Sequence, residues 1–155
     1  MSRAFVKEND DAGEPLPELA VSPHPNFVTP EGLRQIEARV AALDAELRAA
    51  RESGDKALLA RIARDQRYWT QRRSTARLVE PSGAVPEVVR FGVTVVVRFD
   101  DGGERSFKLV GEDEAEPARG LVSWVAPLAK ALTGKQLGDE LEVLGRAAEI
   151  VQLRT

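Results

Sequence analysis

The residue types that could carry chemistry are few in this chain of 155 residues. Cysteine is absent and His24 is the only histidine, which argues against thiol nucleophiles, zinc sites built from Cys and His, and a histidine base. The sequence also lacks a Gly-rich phosphate loop and a nucleophile–base pair. The remaining candidates are two carboxylates, Glu52 and Asp55, which flank Gly54 in the stretch RESGDK. We therefore expect a protein that is not itself an enzyme.

Arginines form a second candidate site, a basic face. Residues 31–78 hold eleven basic against seven acidic residues, whereas residues 1–30 hold two against five and residues 79–155 hold nine against thirteen. On a helix with about 100° per residue, four arginines of the basic middle segment share an arc of about 140°. They are Arg61, Arg64, Arg67 and Arg72. Such a face is either a solvated helix surface or a contact for nucleic acid or an acidic groove.

The elements that must position these side chains are two helices. The first begins with Thr29 as its N-cap and Pro30 in its first position. Its apolar residues recur at alternating spacings of three and four, a narrow stripe that seats one partner helix. They are Leu33, Ile36, Val40, Leu43, Leu47 and Ala50. Because the arms before and after the break have nearly equal lengths, residues 53–55 are predicted to be the turn of an antiparallel helical hairpin over residues 29–79.

The chain on either side of the hairpin has a different composition. Residues 1–28 contain four prolines among small and charged residues, which predicts a disordered tail. Residues 80–155 open with the alternating apolar pattern of residues 89–99, which is typical of a half-buried strand, and further strands follow. One short helix is predicted over residues 127–133. The prediction is a small antiparallel sheet packed on one helix, so the fold class is α+β.

The N-terminal sequence and the apolar runs bear on localisation. No apolar run approaches the roughly 18 residues that cross a bilayer. The opening residues MSRAFVKENDD turn acidic before the apolar region of a signal peptide could form. We therefore expect a cytoplasmic protein that makes no membrane contact, and we expect it to be a monomer.

Residues 27–153 resemble a known family. FGVTVVVRFDDGGERSFKLV and SWVAPLAKALTGKQLGDE look like the C-terminal domain of the Gre transcript-cleavage factors of bacterial RNA polymerase, and TPEGLRQIEARVAAL resembles the start of their coiled-coil arm. The resemblance implies an FKBP-like fold for residues 80–155, which would dock on the rim of the polymerase secondary channel while the hairpin enters the channel. The polymerase-binding residues that it implies are Ser123, Trp124, Pro127, Leu128, Lys130 and Ala131.

The same resemblance implies chemistry at the hairpin tip. Two acidic residues there would help to hold a Mg²⁺ ion of the polymerase active site, because Mg²⁺ takes oxygen ligands, and the polymerase would then cleave its own RNA. The family pattern is Gly-Asp-x-x-Glu-Asn, and here Asp55 matches the first acid while Leu58 and Leu59 stand at the last two positions. Glu52 is the candidate for a substitute second acid. We expect the factor to modulate elongation or initiation with little or no stimulation of cleavage, no cofactor of the chain's own, and only indirect contact with nascent RNA.

One further departure and two alternatives complete the sequence-based interpretation. Ala126 stands where the family has a serine before the short helix, which removes a capping oxygen worth about 1 kcal/mol. An FKBP-like peptidyl-prolyl isomerase or chaperone is the first alternative, and it would need a pocket lined by aromatic side chains. A nucleic-acid-binding module that uses the basic face is the second, and its affinity for free RNA or DNA would fall steeply with salt.

Overall fold

The computed structural model describes residues 16–155, and the first fifteen residues of the predicted tail lie outside the described part. Helix α1, Pro30–Ser53, begins at the predicted cap, where the Thr29 hydroxyl accepts a hydrogen bond from the Gly32 N–H at 3.0 Å. At about 1.5 Å per residue its 24 residues span about 36 Å. The helix ends at Gly54, whose φ of 71° is a left-handed conformation that glycine adopts without a steric penalty.

Helix α2, Lys56–Thr75, starts directly after this turn and runs back along α1. Asp55 is its N-cap, and its Oδ1 accepts a hydrogen bond from the Leu58 N–H at 3.0 Å. The predicted hairpin turn is thereby confirmed. No helix within residues 16–155 has both the length and the apolar character needed to cross a membrane.

The two helices pack along the predicted apolar stripe. On α1 the side chains of Ile36, Val40, Leu43 and Ala50 are buried, and from α2 Ile62 joins them. The cluster near the tip has partly buried apolar neighbours on both helices, namely Leu47, Leu58, Leu59 and Trp69. Since the stripe is narrow, each helix is covered on one side only, and most of the arm's surface faces solvent.

The C-terminal part is a five-stranded sheet with the order β5-β4-β3-β7-β6. Its strands are β3 Thr94–Phe99, β4 Glu104–Val110, β5 Leu121–Ser123, β6 Glu140–Val143 and β7 Arg146–Arg154. Three pairings are antiparallel as predicted, but the edge strand β5 runs parallel to β4. The sheet is therefore mixed, because the long connection through residues 111–120 returns the chain in the direction of β4.

Alternate apolar residues of the central strand β3 point into the core of this domain. Val95 and Val97 of β3 are fully buried, and the short helix α3, Pro127–Leu132, adds Ala129 and Leu132. These residues join further buried side chains of the sheet in one cluster, which includes Phe99, Phe107, Leu109, Val143 and Ile150. The predicted α+β class, with a helical hairpin followed by a sheet and one short helix, is confirmed.

The segment before α1 corrects one boundary. Strand β1, Phe27–Val28, pairs in parallel with β2, Arg77–Leu78, which follows α2. Asn26 is also buried, with 5% of its surface exposed. The predicted tail over residues 1–28 therefore extends too far, because Asn26 and β1 are fixed against the end of the hairpin through contacts that are distant in sequence.

Candidate functional site

The hairpin tip presents two carboxylates with different surroundings. Glu52, in the last turn of α1, is exposed and makes no hydrogen bond or ion pair with any residue from 16 to 155. Asp55 is exposed as well, but its Oδ1 caps α2, and its own N–H donates to the Ser53 hydroxyl at 3.2 Å. The Ser53 hydroxyl in turn donates to the Ala50 carbonyl at 2.7 Å. Asp55 thus has a structural task that engages one of its two carboxylate oxygens.

The tip offers few oxygen ligands for a metal ion. Mg²⁺ prefers six oxygen ligands in octahedral geometry, and each ligand that the protein does not supply is a water. Leu58 and Leu59, which occupy the next positions around the tip, supply none. Among residues 16–155 no group of three or more His, Asp or Glu side chains is placed to hold a metal ion.

The basic face is not continuous in the structure. Arg61 is exposed, Arg64 pairs with its neighbour Asp65 at 3.1 Å, and Arg67 pairs with Glu18 at 2.5 Å. The hydrogen bond to Glu18 raises the pKa of Arg67. The prediction is wrong for the fourth member, Arg72, whose side chain is only 2% exposed because it points into the junction with the sheet domain.

Arg72 is the centre of a buried polar network at the base of the arm. Its Nε donates to Asp113 Oδ2 at 2.6 Å and its Nη2 donates to Asn26 Oδ1 at 2.8 Å. The Glu112 carboxylate lies 3.9 Å from the same Nη2. Asn26 completes the ring, since its Nδ2 donates to the Arg72 carbonyl at 2.7 Å. The guanidinium is therefore held from both sides, by the sheet domain and by the segment before β1.

Tyr68 extends this network by one turn of α2. Its hydroxyl donates to Asp113 Oδ1 at 2.7 Å, so Asp113 accepts from two residues of the same helix. Burial, followed by this hydrogen bond, raises the pKa of Tyr68 to about 12. The neutral phenol is the form that can donate the bond, so the geometry and the pKa agree.

The next acid in the same loop holds the other helix. Glu114 is 8% exposed, and its carboxylate accepts a hydrogen bond from the Thr29 hydroxyl, the group that also caps α1. A Cβ atom on Gly32 would lie 2.7 Å from Glu114 Oε1, so this contact depends on the glycine in the first turn. Residues 112–114, here called the acidic triplet, therefore fix the bases of both helices to the sheet domain.

The sequence-based interpretation missed this junction. It made no prediction for the acidic triplet, and it placed Arg72 in an exposed arc of arginines. One available signal was the position of the triplet, since the run GEDE follows directly after the apolar end of β4, where the chain leaves the core. Asn26 gave no such signal, because its partners lie 46 or more residues away.

The predicted docking residues lie on α3 and the strand before it. Pro127, Lys130 and Ala131 are exposed along one side of α3, whereas Leu128 is partly buried and packs against the core. Ala126 provides no side-chain cap, as its type predicted. Ser123 ends β5 beside this helix. The structure thus brings the six residues together, and their role in binding stays a prediction.

Trp124 differs from the other predicted docking residues because the N-terminal segment covers part of it. Its ring meets Phe27 edge to face with centroids 5.1 Å apart, and His24 lies against it at 6.0 Å. The Phe27 ring also packs on Phe91 at 5.9 Å. The Trp124 indole Nε1 is buried and has no hydrogen-bond partner within residues 16–155.

A cleft of about 550 Å³ beside β6 and β7 bears on the isomerase alternative. Its one aromatic residue is Phe99, which is 4% exposed and lies under the Arg146 guanidinium at 4.1 Å from the ring centroid. Charged side chains form much of the remaining wall, including Arg98, Asp100, Glu140, Glu142 and Glu149. This charged lining differs from the predominantly hydrophobic and aromatic lining of a typical small-molecule pocket.

Comparison with known proteins gives one family. The family model described as "Transcription elongation factor, GreA/GreB, C-term" matches residues 84–153. GreA of Rhodospirillum rubrum is 34% identical over 135 residues, which are 75% of this chain and 86% of that protein. GreA of Bacillus licheniformis is 40% identical over 77 residues, 49% of each chain, and GreB of Neisseria meningitidis serogroup B is 38% identical over 95 residues, 58% of each. The chain spans about half the length of the first curated relatives that it matches.

The solved structures that resemble this chain have lower sequence identity to it than these relatives. The GreA factor homolog 1 (Gfh1) protein of Thermus thermophilus is 20% identical with a TM-score of 0.41, over 85% of this chain and all of that one. A GreA/GreB factor from Nitrosomonas europaea is 22% identical with a TM-score of 0.43, over 85% of this chain and 99% of that one.

Proposed function

Since this chain belongs to the GreA/GreB family of transcription elongation factors, we propose that it binds bacterial RNA polymerase and regulates elongation through the polymerase secondary channel. The sheet domain docks through the exposed side of α3, and the helical arm enters the channel. The polymerase is the enzyme, and this protein acts as a cytoplasmic monomer without a cofactor of its own. Any Mg²⁺ at the tip belongs to the polymerase active site, and contact with nascent RNA is indirect.

The junction at the base of the arm supports a mechanical role. A helical arm about 36 Å long can deliver its tip to one place only if its base does not swing. Both helices are fixed there against the acidic triplet, α1 through buried Thr29 and α2 through buried Arg72 and partly buried Tyr68. Movement at the base would break charge-assisted hydrogen bonds away from water, which is costly. This geometry favours an arm of fixed direction.

We further propose that the protein stimulates transcript cleavage little or not at all, and the environment of Asp55 is the observation that supports this. One Asp55 oxygen caps α2, and Leu58 and Leu59 offer no oxygen beside it. Glu52 is exposed on the other side of the turn. With so few protein ligands the tip adds little to metal binding. The protein therefore acts mainly by occupying the channel.

A stalled, backtracked elongation complex with Mg²⁺ tests this function. We expect excess factor to bind the complex and to change its elongation rate, with little shortening of the transcript. The double variant Leu58→Glu, Leu59→Asn restores the family pattern and should increase shortening. The variant Glu37→Gln, an exposed residue on the side of α1, is the matched control and should behave like the unchanged protein. Robust shortening by the unchanged protein that disappears in Asp55→Ala would contradict the proposal.

A further inference from the structure

A stretch of chain before β1 lies across two of the predicted contact surfaces. Residues 16–25, here called the cover segment, contain no helix or strand. Glu18 of this segment contacts Arg67 on α2, and His24 contacts Trp124 beyond β5. Arg67 belongs to the predicted basic face, and Trp124 belongs to the predicted docking residues. The same short segment therefore occupies part of each surface.

The contact at Arg67 is specific in geometry but exposed. The guanidinium Nε donates to both Glu18 oxygens, at 3.1 and 3.0 Å, and Nη2 donates to Oε1 at 2.5 Å. Hydrogen bonding by Arg67, with a further charge effect from Arg64, lowers the pKa of the Glu18 carboxyl. Both partners remain more than half exposed, 56% for Arg67 and 62% for Glu18, and exposed ion pairs of this kind are weak. A competing carboxylate can thus replace Glu18.

The contact at Trp124 is also made by an exposed side chain of the cover segment. The His24 ring is exposed and meets the indole edge to face at 6.0 Å, while Phe27 covers the indole from a more deeply fixed position. Removing His24 would uncover one side of the indole and leave Phe27 in place. The apolar residues of the cover segment are themselves exposed, namely Leu16, Leu19 and Val21.

The chain directly after the cover segment is held firmly. Asn26 is buried and makes hydrogen bonds with Arg72 and Thr75, and β1 is paired with β2. At Gly111 a Cβ atom would lie 2.4 Å from the Phe27 carbonyl oxygen, so β1 can approach this closely only because a glycine is there. The cover segment is therefore tied at its C-terminal end and weakly attached elsewhere.

We propose that the cover segment is an intramolecular competitor, which in the free protein occupies part of the basic face at Arg67 and part of the docking surface at Trp124, and which is displaced when an acidic protein segment of the transcription machinery docks there. Glu18 shows the chemistry that the partner must supply, a carboxylate for the Arg67 guanidinium. Because Asn26 stays hydrogen-bonded to Arg72 and Thr75, the displaced segment remains near Arg67 and Trp124 and rebinds when the partner dissociates. This inference rests on the proposed function, because it takes RNA polymerase as the partner.

The first experiment measures how far the cover segment shields Trp124 from solvent in the absence of polymerase. The chain has two tryptophans, so in a Trp69→Phe background acrylamide quenching of fluorescence reports on Trp124 alone. The double substitution Glu18→Gln, His24→Ala should increase quenching. Glu87→Gln removes the same charge from an exposed loop position and should leave quenching unchanged.

The second experiment measures binding of the same variants to RNA polymerase. We expect Glu18→Gln, His24→Ala to bind about 3- to 10-fold more tightly, the factor for a surface that is open about a tenth to a third of the time. Increased quenching with unchanged or weaker polymerase binding would overturn the proposal, and so would an equal gain for Glu87→Gln. If the uncovered variant instead gained affinity for free single-stranded RNA, the partner would be a phosphate chain and the assignment would be wrong.

These outcomes separate this inference from the proposed function. If no variant, including the unchanged protein, bound polymerase, the proposed function and the competition would both fail. The quenching result would still decide whether the cover exists. If the unchanged protein bound polymerase and quenching did not respond, only the cover would be refuted.

Discussion

Substitution of Arg72 by methionine tests whether the base of the arm is held as the structure indicates. Methionine keeps most of the side-chain volume but removes the charge and all donors. Asp113 and Glu112 would then lose their cationic partner in a poorly hydrated junction, and Asn26 would lose the donor to its Oδ1. Glu112 Oε2 already has no hydrogen-bond partner within residues 16–155. The substitution therefore leaves the Glu112 and Asp113 carboxylates close together without their cation, and in the described part of the chain only the Tyr68 hydroxyl still donates to Asp113.

The expected magnitude follows from burial. Arg72 is 2% exposed and Asp113 is 11% exposed, so solvent screens the pair little. Removal of one partner of a buried ion pair lowers the free energy of unfolding by about 3–5 kcal/mol. For a chain of this length, about 2–4 °C of melting temperature is lost per kcal/mol, so we expect a decrease of about 6–20 °C. This loss is large against a typical total stability of about 5–15 kcal/mol.

Urea unfolding followed by circular dichroism measures this effect. Arg61→Met is the matched control, since Arg61 is exposed on the same helix and has no ion pair within residues 16–155, and its effect should stay within about 0.5 kcal/mol. Asp113→Asn combined with Arg72→Met should cost less than the sum of the two single changes, because they share one interaction. Equal stability of the two methionine variants, or strict additivity with Asp113→Asn, would refute the buried junction.

Three further predictions concern the same junction. Tyr68 is the only tyrosine, so ultraviolet titration of the folded protein should give a pKa of about 12. Because the pKa of Tyr68 is raised on folding, its contribution to the free energy of unfolding is complete below the ordinary pKa near 10 and is lost as pH rises to 12. Asp113→Asn should move the titration towards lower pH. Thr29→Ala should lower the free energy of unfolding by about 1–2 kcal/mol, as it removes the cap of α1 and a donor to a buried carboxylate, with Thr29→Ser as the near-neutral control. Gly111→Ala should lower it by about 1–3 kcal/mol, because the added Cβ meets the Phe27 carbonyl, and an unchanged melting temperature would show that β1 can shift away.

The helical hairpin could be predicted from the sequence because its signals are local. Thr29 and Pro30 start α1, Gly54 ends it, and Asp55 starts α2, each through contacts within three or four residues. The apolar stripe has the same property, since helical spacing alone places Ile36 and its successors on one side. The structure matches each of these features.

The junction could not be predicted because its contacts join distant parts of the chain. An arc of arginines on a helical projection contains no information on which member meets an acid 41 residues later, and so Arg72 looked exposed. The prolines before Asn26 are typical of a tail, but pairing of β1 with β2 depends on where α2 ends. The parallel edge strand β5 has the same origin, since its direction depends on the path of residues 111–120.

The contrast between the two ends of the arm suggests how the molecule divides its tasks. At the base, hydrogen bonds connect both helices to the acidic triplet, and Asn26 is bound to Arg72, so the direction of the arm is costly to change. At the tip, exposed residues do little beyond forming the turn, and Asp55 is engaged as a cap. Here the most constrained carboxylates lie at the base, an arrangement that supports the proposal of a rigid arm that acts by occupying space.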